Sequence, residues 1–153
     1  MENYERRHKV ILLVEDNPDD VELTIRALEQ QKIANPLIVA RDGVEALDYL
    51  FGRGKYAGPE LPALPTVILL DLKLPRLDGL DVLRQLRSNE RTKLLPVVIL
   101  TSSNEESDLN NGYLLGANSY IRKPVDFDQF NEAIKQLGLY WLVWNEPAPS
   151  KKP

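Results

Sequence analysis

Two kinds of apolar pattern alternate five times along this chain. Val10-Ile11-Leu12-Leu13-Val14 is continuously apolar and β-branched at both ends, the pattern of a strand buried on both faces. Asn17-Pro18-Asp19-Asp20 then reads as a helix start, with a capping amide, proline at the first helical position and acids in the first turn. Val21, Ile25 and Leu28 follow at helical spacing. Residues 36–40 predict a second strand, and Val44, Leu47, Leu50 and Phe51 a second helix. Three further strands are predicted at 66–70, 96–100 and 119–122. Leu80, Leu83 and Leu86, widened by Val82, mark the third helix. A weakly periodic fourth runs from 105 to 115 before Gly116, and Phe127, Phe130, Ile134 and Leu137 mark the last. Residues 52–65 hold three glycines and three prolines and read as an irregular insertion within one domain.

Alternating strands and helices imply a parallel sheet covered on both faces, an α/β architecture. Such sheets bind ligands outside the carboxyl ends of their strands, near the point where strand order reverses. Glu15-Asp16, Asp71, Thr101 and Lys123-Pro124 all stand at those ends and can converge. The second strand closes at Asp42-Gly43, which reads as turn chemistry, as does Asp78-Gly79. Carboxylates about 4 Å apart repel by roughly 1 to 4 kcal/mol per pair, so a proton or a cation must relieve them. With no cysteine and one histidine, the ligands on offer are hard oxygens, which favour Mg²⁺ or Mn²⁺ over zinc or copper. A carboxylate can attack phosphorus to give an aspartyl-phosphate, a reaction that depends on positioning and charge neutralisation. The Lys123 ammonium supplies a point charge and the Thr101 hydroxyl a hydrogen bond.

Composition narrows the class. The 153 residues, 43% hydrophobic and 27% charged, suit one globular domain with a substantial core. A net charge of −4 and the lack of a long basic run argue against nucleic acid as a partner. Absence of cysteine excludes disulfides and thiolate metal sites. Apolar runs of about six residues are too short to span a bilayer, and 1–9 lead into no signal-peptide pattern. The expectation is a cytoplasmic protein that is not membrane-bound. Its plan would be an N-terminal tail at 1–8, one domain at 9–146 and a flexible tail at 147–153. The insertion at 52–65 and an aromatic extension at 138–146 lie within the domain. Nothing after Pro147 is expected to fold as an output domain.

From about 10 to 137 the chain resembles the response-regulator receiver domain of two-component signalling, the CheY-like class. The motifs are Glu15-Asp16-Asn17-Pro18, the segment from Asp71 through Pro75 to Asp78-Gly79, Thr101-Ser102-Ser103, and Lys123-Pro124. The resemblance implies a flavodoxin-like (βα)5 fold, a doubly wound five-stranded parallel sheet of order 2-1-3-4-5. It implies Asp71 as phosphoacceptor, taking its phosphoryl group from a sensor histidine kinase. Mg²⁺ would be held by Asp16 and Asp71 directly, by Glu15 through water and by the Lys73 backbone carbonyl. Thr101 and Lys123 would sense the phosphoryl group, Tyr120 would swing inward as a switch, and Lys123-Pro124 would carry a cis peptide. The protein would then be a phosphoacceptor that assists its own phosphorylation and dephosphorylation, not an enzyme. The insertion and the stretch from Gly138 to Pro147 further resemble small regulators that serve cyanobacterial phytochrome histidine kinases.

Other readings stay beside these. Asp19 and Asp20 read as helix N-terminal charges and not as metal ligands, and His8 as a solvated residue. Tyr120 reads equally as a half-buried strand aromatic. Tyr140, Trp141 and Trp144 either pack on their own domain or form a protein contact, most simply a homodimer. A haloacid-dehalogenase-type phosphohydrolase needs an acid two residues past the nucleophile, where Lys73 stands. A degenerate flavodoxin-like binding module that is not phosphorylated is the main alternative.

Overall fold

The computed structural model describes residues 9–124 and 126–149. The tail expected at 1–8, with His8, and the end of the C-terminal tail at 150–153 lie outside the described residues. Five strands, β1 (Ile11–Val14), β2 (Leu37–Ala40), β3 (Val67–Leu70), β4 (Val97–Thr101) and β5 (Ser119–Arg122), form one sheet in the order β2-β1-β3-β4-β5. All four pairings are parallel, so fold and strand order are those expected. The strands are separated or followed by α1 (Pro18–Gln30), α2 (Gly43–Phe51), α3 (Gly79–Ser88), α4 (Glu106–Leu114) and α5 (Phe127–Leu139).

Side-chain alternation along the strands divides the core in two. Leu12, Val14, Ile68, Leu70, Val97 and Ile99 pack on one face against Leu47, Leu50, Val82, Leu83 and Leu86 of α2 and α3. Ile11, Leu13, Val67, Leu69, Val98 and Leu100 pack on the other against Val21, Ala27 and Leu28 of α1 and Phe130 and Ile134 of α5. Fully burying such a side chain contributes about 1.5–3 kcal/mol. That is why both faces of short strands are apolar.

Helix starts are fixed by polar caps. The Asn17 side chain accepts from the N–H of Asp19 (2.9 Å) and Asp20 (3.3 Å), with Pro18 at the first helical position. Asp42, Asp78 and Asp126 cap α2, α3 and α5 in the same way. The two Asp-Gly pairs, read from the sequence as turn chemistry, are helix starts, because aspartate satisfies the orphan N–H groups of a first turn. Their glycines serve close packing. A Cβ on Gly43 would lie 2.1 Å from the Leu77 carbonyl oxygen, and one on Gly79 2.2 Å from that of Asp71.

Two segments are more ordered than the sequence suggested. In the insertion, Gly54–Tyr56 forms a 3₁₀ turn, and the Tyr49 hydroxyl donates to the Ala63 carbonyl at 2.7 Å. The last helix continues past 137 to Leu139 and into a π-helical turn, Tyr140–Trp144. That turn splits the aromatic cluster: Leu142 is buried and Trp141 half-buried against the α1/α5 core, whereas Tyr140, Val143 and Trp144 are exposed. One expectation is overturned. No cis peptide occurs among the described residues, so the Lys123–Pro124 bond is trans, the isomer favoured for X–Pro by about 0.5–1 kcal/mol. No helix among the described residues is long and apolar enough to cross a membrane.

Candidate functional site

Backbone pairing continues one residue past the strands and thereby gathers the site. The Glu15 N–H donates to Ala40 O (2.9 Å), the Asp71 N–H to Val14 O (3.0 Å) and the Lys123 N–H to Thr101 O (2.8 Å). Glu15 and Asp71 are thus level at the carboxyl ends of the central strands, with Asp16 beside them. One ligand oxygen from each of Glu15, Asp16 and Asp71 lies within 4.8 Å of the others. Glu15 and Asp71 are buried, and Asp16 is exposed at the mouth.

The Lys123 ammonium sits in the middle of this acid group. It donates to Glu15 Oε1 in a short ion pair, to Asp20 Oδ2 at 2.8 Å and to Asp71 Oδ2 at 3.2 Å. The other Asp71 oxygen, Oδ1, accepts from the N–H of Leu72 (2.7 Å) and Lys73 (3.4 Å). Both carboxylate oxygens are therefore oriented before any ligand arrives. Burial pushes the Glu15 carboxyl up to about 7 against the opposing Lys123 hydrogen bond, and the charge of Asp71 adds to the rise. Burial disfavours the charged Lys123 amine, but hydrogen bonds to Asp20 and Glu15 and the charge of Asp71 outweigh it and raise the pKa. Three carboxyl groups contact one ammonium, and a fourth, Asp16, stands beside Glu15 and Asp71. The donor set is entirely hard oxygen with an open side at Asp16, which fits a divalent cation of the Mg²⁺ or Mn²⁺ kind.

Thr101 is fully buried at the end of β4, and its Oγ1 accepts from the Ser103 N–H at 3.3 Å. The Ser103 hydroxyl donates to Asp108 Oδ2 at 2.6 Å, and Lys73 Nζ lies 3.4 Å from that same oxygen. The Tyr120 hydroxyl is buried with no hydrogen-bond partner. Cavities of about 580 and 700 Å³ open at the other end of the sheet, beside Ile33 and Leu139 and beside Leu64 and Leu94. Neither borders Asp71.

The structure thus unites Glu15, Asp16, Asp71 and Lys123, with Thr101 at the end of the neighbouring strand. Two contributors escaped the sequence reading. Asp20, taken there as a helix-end charge alone, is also a ligand of the Lys123 ammonium; it heads a stripe with buried Thr24 and Ala27 at i+4 and i+7, a signal present in the sequence. Asp108 heads a stripe whose i+4 member is Gly112, and a glycine leaves no hydrophobic trace.

Residues 11–135 match the response regulator receiver domain family. The chain is 40% identical over 145 residues to the probable methanogenesis regulatory protein FilR2 of Methanothrix harundinacea, covering 92% of this chain and 89% of that protein. It is 38% identical over 134 residues to response regulator Rcp1 of Synechocystis, covering 88% and 89%. The Mn²⁺-bound form of Rcp1 superposes with a TM-score of 0.84 at 36% identity, over 92% of this chain and 99% of Rcp1. The phosphorylated cyanobacterial phytochrome response regulator RcpA gives 0.85 at 37%, covering 93% and 99%. The bacteriophytochrome response regulator RtBRR is 55% identical with a TM-score of 0.73, covering 92% and 84%.

Proposed function

The chain belongs to the response regulator receiver domain family, and on that footing we propose that it accepts a phosphoryl group on Asp71 from the phosphohistidine of a sensor kinase. One observation carries this reading: the Asp71 carboxylate is oriented at the end of β3, with Glu15 and Asp16 oxygens within 4.8 Å and the Lys123 amine at 3.2 Å. In the transfer an Asp71 oxygen attacks phosphorus. A P–O bond forms, the donor's P–N bond breaks, and the imidazole leaves with the bonding pair. Asp16, Asp71 and the Lys73 carbonyl, with Glu15 through water, would hold a divalent cation such as Mg²⁺, which would supply positive charge to the phosphoryl oxygens. Lys123 then faces phosphoryl oxygens, and Thr101 donates a hydrogen bond to them. Tyr120 follows Thr101, and the surface around α4 and β5 changes its affinity for partners. Signalling is by protein contact.

The likeness to RcpA and RtBRR, a cyanobacterial phytochrome regulator and a bacteriophytochrome regulator, supports a phytochrome-type kinase as donor. The exposed Tyr140, Val143 and Trp144 support a homodimer in which the π-helical turn lies at the interface. Trp141 is assigned to the core beneath it.

Intact-mass measurement after incubation with acetyl phosphate and Mg²⁺ tests the central claim. The wild type is expected to gain one phosphoryl group, and Asp71→Asn or chelated protein none. An unmodified wild type would leave a binding module that is never phosphorylated. Transfer rates from a panel of phosphohistidine kinases test the donor; faster transfer from a kinase that is not phytochrome-like rejects that part of the proposal.

A further inference from the structure

Asp108 is a buried carboxylate with no part in holding metal or phosphoryl group, and its contacts lead back to Asp71 by two routes. One runs through Lys73, whose N–H points at Asp71 Oδ1 (3.4 Å) while its Nζ lies 3.4 Å from Asp108 Oδ2. The other runs through Thr101, whose Oγ1 accepts from the Ser103 N–H, while the Ser103 hydroxyl donates to Asp108 Oδ2 at 2.6 Å. Both contacts fall on one carboxylate oxygen. Asp108 Oδ1 makes no hydrogen bond among the described residues.

Close to Asp108 is a donor with no acceptor. The Tyr120 hydroxyl is fully shielded from solvent and unpartnered, a state that costs about 1–3 kcal/mol. Burial pushes its pKa up, and the charge of Asp108 is near enough to add to the rise. Ser103 lies close by and opposes the rise, yet its own proton is directed at Asp108 and its oxygen already accepts from the Glu105 N–H at 3.2 Å. The Tyr120 ring lies along Gly112, one turn beyond Asp108 on α4. A Cβ at Gly112 would come within 3.4 Å of it. A buried donor on β5 and a carboxylate oxygen without a hydrogen bond on α4 thus both neighbour Ser103.

We propose that Asp108 Oδ1 is the acceptor that captures the Tyr120 hydroxyl when Asp71 is phosphorylated. Asp108 is a positioning residue, acting on the switch through Ser103 and Lys73. The inference rests on the phosphoryl reading of Asp71. A phosphoryl group that draws Thr101 toward it pulls Ser103 along the N–H to Oγ1 bond, and Ser103 pulls the first turn of α4 through Asp108. The movement closes the gap to Tyr120 and adds a hydrogen bond to a charged acceptor between α4 and β5.

Hydrogen exchange of the full chain, with and without acetyl phosphate and Mg²⁺, tests this, with intact mass read on the same samples. Phosphorylated wild type is expected to exchange about tenfold more slowly across α4 and β5, the effect of one added hydrogen bond to a charged acceptor. Tyr120→Phe, which keeps the ring, and Asp108→Ala, which removes both acceptor oxygens, should each gain the phosphoryl mass yet lose that protection. The double variant should lose no more than either single one. Full protection surviving in phosphorylated Tyr120→Phe, additive losses in the double variant, or a phosphorylated wild type without added protection overturns the inference. A wild type that gains no mass instead overturns the phosphoryl reading beneath it.

Discussion

Glu15 is 2% exposed, and its carboxyl is pushed from 4.5 to about 7 by burial and the neighbouring Asp71 charge, against the pull of Lys123. Because the folded value lies above the unfolded one, the folded state binds more protons between the two. Stability is therefore lost as pH rises through that window, from about 4.5 to about 7, and the penalty is complete above it. Lys123 is shifted in the same direction but contributes differently. Its stabilisation is fully present below about 10.5 and is lost only at still higher pH, so it is silent where Glu15 titrates. Denaturant unfolding of the metal-free protein at about pH 5 and about pH 8 should show lower stability at the higher pH. Glu15→Gln should shrink that difference; an unchanged difference would place the titration elsewhere. The same residue explains why a cation suits the site, since a divalent ion replaces the proton that burial otherwise demands.

At the scale of elements, α3 is held to the backbone of Asp71 by an absence. Gly79 starts the helix where a Cβ would stand 2.2 Å from the Asp71 carbonyl oxygen, and backbone cannot yield as a flexible side chain can. Gly79→Ala is expected to cost about 1–3 kcal/mol in denaturant melts and to slow phosphorylation by acetyl phosphate, because the loop carrying Asp71 must shift. Gly58 in the insertion has nothing within 4 Å. Gly58→Ala should be neutral or stabilising by up to about 1 kcal/mol, and equal losses at both glycines would reject this account. The strands were legible in sequence because burial on both faces writes them as unbroken apolar runs, as at 10–14 and 66–70. The site was legible because the parallel sheet places Glu15, Asp71, Thr101 and Lys123 at one end. Side-chain contacts between elements were not. Asp20 pointing to Lys123 and Asp108 meeting Ser103 depend on how α1 and α4 rotate on the sheet. The order within 52–65 comes from distant partners, such as Arg91 donating to the Leu50 and Pro62 carbonyls at 3.3 and 2.9 Å.

For the whole molecule, the π-helical turn after α5 presents two faces with opposite duties. Leu142 (5% exposed) and Trp141 complete the core between α1 and α5, and the Lys9 amine donates to the Leu142 carbonyl at 3.0 Å. On the other side Leu139, Tyr140, Val143 and Trp144 are 44 to 72% exposed within one short segment. A cluster of exposed apolar residues of this kind commonly marks an interaction surface, and the proposed homodimer would cover it about a two-fold axis. If that is its role, the two tryptophans must separate in experiment. Trp144→Ala should shift the mass in solution from dimer to monomer at tens of micromolar, leaving the unfolding midpoint of the monomer unchanged. Trp141→Ala should instead destabilise the domain by about 2–3 kcal/mol through the packing it removes, with self-association falling only as the fold is lost. A wild type that stays monomeric at that concentration removes the homodimer and leaves the patch to another partner.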